Sequence, residues 1–125
     1  MGIKLILAVG LGSGIGGMMR HALSSAIRTN TAAHFPWHTL AVNIAGCFLI
    51  GLVFAFFDRN QISHNWKLFL ATGILGGFTT FSAFSIETVN LLRDKHFTNA
   101  MLYVSASVIL GLLATFIAYQ LRVGK

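Results

Sequence analysis

The run Gly73-Ile-Leu-Gly-Gly-Phe-Thr-Thr-Phe-Ser-Ala-Phe-Ser85 limits what this chain can become more than any other stretch. It lies inside an otherwise apolar segment that begins near Trp66. Each unsatisfied polar group costs several kcal/mol in lipid, yet Gly76, Gly77, Thr79, Thr80, Ser82 and Ser85 crowd the middle of this span. Glycine and threonine also weaken a helix locally. The pattern predicts a break at about Gly76 to Thr80, which is tolerated at that depth only where protein buries it or it lines a cavity. Beyond the break, Phe81 and Phe84 are three apart and share one helix face. A broken helix with free backbone groups and aligned phenylalanines is the signature of an ion site.

The lipid setting follows from composition. Only 10% of the residues are charged and 55% are hydrophobic, where soluble domains carry about 25% charge. Mean hydropathy is +0.74. The 125 residues predict one domain of four membrane-spanning helices, residues 1–125. The net charge of +6 would suit nucleic acid, but the basic residues are scattered at segment ends, the pattern of membrane anchoring. The lone Cys47 forms no internal disulfide and says little about redox compartment.

Segment one runs from about Ile3 to Ile27. Lys4 before an apolar run resembles a signal peptide, but no small-residue cleavage site follows, and the sequence is read as a retained span. Gly12-Ser-Gly-Ile-Gly-Gly17 satisfies G-x-G-x-x-G, yet no strand precedes it and no acidic residue stands about 20 positions on. Gly10/Gly14 and Gly12/Gly16 read instead as small-xxx-small pairs for close helix packing. Arg20 has two readings, a snorkelling arginine near a helix end or one facing a vestibule that attracts anions.

The first loop runs from Arg28 to Pro36; its His34 and the following His38 have metal-ligand spacing, but Pro36 lies between them and no third ligand is near. Segment two runs from about Trp37, an interfacial anchor, to Phe57. Thr39 and Asn43 share a face there, and Asn43 reads as helix-helix glue or as a ligand donor. Segment three runs from about Trp66 to Leu92. Its Glu87, the one acidic residue placed within a span, reads as a partner of backbone or arginine, or as a proton or cation site. Segment four runs from about Asn99 to Leu121. Tyr103, Ser107, Gly111 and Thr115 recur every four residues as a narrow polar stripe; hydroxyls returning bonds to their own helix would also account for it.

Short loops make neighbouring spans antiparallel. Lys4, Arg59, Lys67, Arg122 and Lys125 then fall on one side and Arg28, Arg93 and Lys95 on the other, with Arg20 left out. Five against three is a weak positive-inside bias. A chain with so little bias can insert both ways round, and two opposed copies would reproduce the symmetry of inverted repeats.

Three motifs coincide: Gly14-Ile-Gly-Gly-Met-Met-Arg20, Thr39-Leu-Ala-Val-Asn-Ile-Ala-Gly46 and Gly76-Gly-Phe-Thr-Thr-Phe-Ser-Ala-Phe-Ser85. Over the whole chain they resemble the Fluc (CrcB) family of fluoride channels. The resemblance implies a dual-topology antiparallel homodimer in the bacterial inner (plasma) membrane, with two fluoride pores that lower cellular fluoride. It implies a sodium ion at the dimer interface, held by the backbone carbonyls of Gly76 and Thr79. It makes Asn43 the polar pore residue and Phe81 and Phe84 the pore phenylalanines. It puts Ser107 and Thr115 on a polar track, and Thr39, Tyr103 and the vestibule Arg20 join them as candidates. Gly111 and Ala83 depart from the family pattern, where hydroxyl residues are usual.

The residues suit that chemistry. Asn43 offers amide N–H donors, Ser107 and Thr115 offer hydroxyls, and phenyl rings present a weakly positive edge to an anion. Such weak binding lets an ion leave. No set of groups for enzymatic catalysis is found. The competing classes are a small dual-topology proton-coupled multidrug exporter, for which Glu87 is the available carboxylate, and a non-transporting membrane scaffold.

Overall fold

The computed structural model describes residues 2–30 and 35–123, and among them all regular structure is helical. Helix α1 spans Ile3–Asn30 and α2 spans Trp37–Asp58. The third run is composite. It opens with α3, His64–Lys67, capped by Ser63, whose hydroxyl accepts the Trp66 N–H at 3.3 Å. A π-helical stretch, Leu68–Leu75, and the single turn α4, Gly76–Phe78, follow. Thr79 and Thr80 are extended, with φ/ψ of −89°/158° and −149°/117°, and α5 then runs over Phe81–Arg93. Helix α6 spans Phe97–Val123.

Among the described residues, four helical runs are long and apolar enough to cross a membrane: Ile3–Arg28, Trp37–Asp58, His64–Arg93 and Phe97–Leu121. The shortest has 22 residues, about 33 Å at 1.5 Å per residue, against a hydrocarbon core of about 30 Å. The helices overrun the apolar segments at several ends, because a backbone ladder continues past the point where side chains turn polar. The loop expected over Arg28 to Pro36 is shortened in this way, with α1 helical to Asn30. Helices α2 and α5 end alike. Asn60 and Lys95 adopt left-handed φ of 60° and 63°, and the next N–H groups, of Gln61 and His96, return to Phe56 O and Leu91 O at 2.9 and 2.8 Å. This motif satisfies carbonyls that the helix end would leave open.

The four runs pack as two pairs joined by α2. Helix α6 lies along α2, and α1 lies along the π-helical stretch and α4. Glycines decide both approaches. A Cβ on Gly16 would overlap the Ile74 carbonyl and sit 2.8 Å from Phe78 N, and one on Gly77 would overlap the Ser13 carbonyl. A Cβ on Gly51 would overlap the Thr115 carbonyl. One on Gly12 would stand 3.2 Å from the Gly73 Cα, whereas Gly10 and Gly14 meet nothing within 4 Å. The two small-residue pairs of α1 therefore differ: one packs within the chain and the other faces outward. The third run changes partners at its extended residues. Before them it lies on α1; after them α5 lies on α6 and α2. Two small cores result, one around Leu40, Leu91, Ala100 and Tyr103, the other around Val42, Leu75 and Phe78.

Candidate functional site

The extended residues are held from α2. Asn43 donates its Nδ2–H to the Thr80 carbonyl at 3.0 Å and accepts the Thr80 N–H on Oδ1 at 2.8 Å. One side-chain amide thus satisfies both polar groups of a residue that has left the helix, as buried backbone requires. The pairing uses one of the two amide N–H groups of Asn43 and leaves the second outside it. Thr80 in turn caps α5, its hydroxyl accepting the Ala83 N–H at 3.1 Å. These diversions strip two carbonyls of their ordinary helical donors. In a continuous helix Thr80 N–H would serve Gly76 O and Ala83 N–H would serve Thr79 O; here both donors are spent elsewhere.

A groove of about 360 Å³ opens beside this junction. Asn43, Gly46 and Cys47 line it from α2, Phe81 and Phe84 from α5, Ser107 from α6, and Gly76, Thr79 and Thr80 from the junction. Ser107 Oγ is buried there with no hydrogen-bond partner, and a buried unpaired hydroxyl points to something that fills the space beside it. The Phe81 and Phe84 ring centroids are 5.6 Å apart, with Phe81 80% exposed. The groove therefore brings together Asn43, Phe81, Phe84, Ser107, Gly76 and Thr79 of the residues singled out in the sequence.

The others lie elsewhere. Thr115 donates to the Cys47 carbonyl at 2.8 Å, fastening α6 to α2. The bare side of Gly111 abuts the Cys47 sulfur, 3.3 Å from where a Cβ would stand. Arg20 is half-buried and donates Nε–H to the Gly77 carbonyl at 3.1 Å. Thr39 and Tyr103 meet at Glu87, Thr39 donating to Oε2 and Tyr103 to Oε1, each at 2.9 Å. His38 completes that cluster, its Nε2 lying 3.0 Å from Glu87 Oε2. Its other candidate partner in the sequence, His34, lies outside the described residues. No local pattern signals that His38 meets Glu87, because 49 positions separate them. The two clusters are neighbours: the Phe84 ring packs on Tyr103 at 5.1 Å between centroids.

Residues 7–119 match the family model described as CrcB-like protein, Camphor Resistance (CrcB). The chain belongs to the CrcB family. Among curated relatives of this CrcB chain, a protein of Thermus thermophilus named fluoride-specific ion channel FluC is 44% identical over 121 residues. That alignment covers 97% of this chain and 95% of the relative. Proteins of the same name from Granulibacter bethesdensis and Flavobacterium psychrophilum are 46% and 44% identical. They cover 92% and 91% of this chain, and 91% and 93% of their own length.

Proposed function

We propose that this CrcB protein is a fluoride-selective channel of the bacterial inner membrane, lowering cytoplasmic fluoride by passive export. The groove carries this reading: an amide, an unpaired buried hydroxyl and two phenyl rings converge beside a helix interruption. Those are the weak donors that a small, tightly hydrated anion can exchange for water and leave again. The names of the relatives support it. We place the interruption at mid-membrane and the working unit in an antiparallel homodimer, supported by the weak charge bias and by the outward-facing Gly10 and Gly14. The carbonyls of Gly76 and Thr79 fit a sodium ion at the two-fold axis, because both have lost their helical donors and hard cations take oxygen ligands. Bound there, the ion would supply positive charge that favours anions nearby. An exporter needs a carboxylate that is free in a drug cavity, whereas Glu87 is engaged by three side chains at the far end of the third run.

Fluoride efflux from liposomes, with chloride as the control anion, tests the function; absence of fluoride efflux under all conditions would sink it. In the same assay, Phe81→Ile with Phe84→Ile should slow fluoride by about fivefold to 150-fold. Two aromatic edges at about 0.5–1.5 kcal/mol each correspond to that range of rate. Normal flux in the double variant would remove the rings from the route.

The dimer has its own test. Within one chain a Cβ on Gly76 meets only the Ala71 carbonyl, at 3.7 Å. Gly76→Val should therefore leave the monomer folded but weaken the dimer tenfold or more, about 1.4 kcal/mol, because a branched side chain would crowd the axis. An undiminished dimer fraction in detergent would place Gly76 away from the interface.

A further inference from the structure

Glu87 lies one turn beyond Phe84 on α5, and its two oxygens are engaged from two other helices: by His38 and Thr39 at the start of α2 and by Tyr103 on α6. His38 and Glu87 are mostly sheltered, with side chains 16% and 21% exposed. Three side chains thus hold this carboxylate in place, and Tyr103 links it by direct ring contact to Phe84 in the groove. We propose that His38 sets the charge at this end of the fluoride route through its pairing with Glu87, so that fluoride current rises on acidification. The inference rests on the channel reading given above.

The effect is electrostatic. Histidine is the side chain whose ordinary change of charge falls between pH 5 and 8. A neutral His38 donates one N–H to Glu87 and leaves the cluster with one net negative charge, which repels an anion passing Phe84. The imidazolium keeps the same hydrogen bond and brings the cluster to neutrality. Thr39 does not titrate, and phenols such as that of Tyr103 ionise far above this window. At the same end of the bundle, Arg93, Asp94, Lys95 and His96 surround the α5–α6 turn and Arg28 closes the last turn of α1. A substitution at His38 leaves all of these in place.

The test is fluoride current through purified protein in planar bilayers at about pH 8 and about pH 5.5. Neutral HF crosses lipid without carrying current, so the reading reports the protein alone. The wild type should gain current on the order of threefold to tenfold, the effect of one nearby unit charge. His38→Gln keeps an amide N–H donor for Glu87 but cannot titrate, and its current should stay flat. Glu87→Gln, the second variant, removes the negative charge but leaves His38 able to titrate, so its current should start higher at the alkaline pH and still rise on acidification. A wild-type current that ignores pH, a rise that survives in His38→Gln, or a rise lost in Glu87→Gln overturns the role of His38 while the channel reading stands. No fluoride current from any of the three proteins at either pH would overturn the channel reading, and this inference with it.

Discussion

Asn43→Asp is expected to cut fluoride flux between a hundred- and a thousandfold while the four spans still insert. Two effects act together. The carboxylate can still accept the Thr80 N–H, but it sets an oxygen against the Thr80 carbonyl where Asn43 donated at 3.0 Å. It also places a negative charge in the groove that Asn43 lines. Two like charges about 4 Å apart repel by about 4 kcal/mol at an effective dielectric near 20, and 1.36 kcal/mol is a factor of about ten in rate. Asn43→Ser separates the effects. It retains a donor without the charge, but its single hydroxyl cannot hold both groups of Thr80, so a milder loss is expected. Near-normal flux in Asn43→Asp would reduce Asn43 to a clamp on the backbone and move the route out of the groove.

Gly16→Ala should damage the fold of the single chain more than any other one-methyl change on α1. Its added carbon would overlap the Ile74 carbonyl and press on Phe78 N and Ile74 C at 2.8 and 2.9 Å. All three are backbone atoms, so no side-chain rotation relieves the clash. Overpacking of this kind costs about 1–3 kcal/mol and occasionally more; rigid backbone on the far side puts this case at the upper end. Gly10→Ala is the matched control, since nothing lies within 4 Å of its added carbon, and alanine is the better helix former by about 1 kcal/mol. Denaturant unfolding in detergent should rank Gly10→Ala at or above the wild type and Gly16→Ala well below it. Equal midpoints would mean that α1 and α4 are not held as closely as described.

The spans were legible because hydropathy is a property of single residues, summed locally. Thr79 and Thr80, extended between α4 and α5, fall within the run of glycines and threonines. The partners of the polar side chains were not legible, because they depend on the register of one helix against another. Asn43 reads from the sequence as helix-helix glue or as a ligand donor, but nothing there says that Thr80 is its partner. The stripe on the fourth span shows a second limit. Four-residue steps drift by about 40° on a helix of 3.6 residues per turn. Over the three steps from Tyr103 to Thr115 the direction turns by about 120°. Tyr103 accordingly reaches Glu87 on α5, while Thr115 reaches Cys47 on α2. Ser107 lies between them and faces the groove.

The change of partners along the third run also sets a timetable. A chain leaves the ribosome from its N-terminus and can dock only on what has already been made. The stretch up to Phe78 finds α1 waiting, complete, when it emerges. Helix α5 has only α2 until α6 follows it. The groove thus stays open until α6 is made, because Ser107 arrives after every other residue that lines it except Val108. Closing of the groove therefore waits for the fourth span.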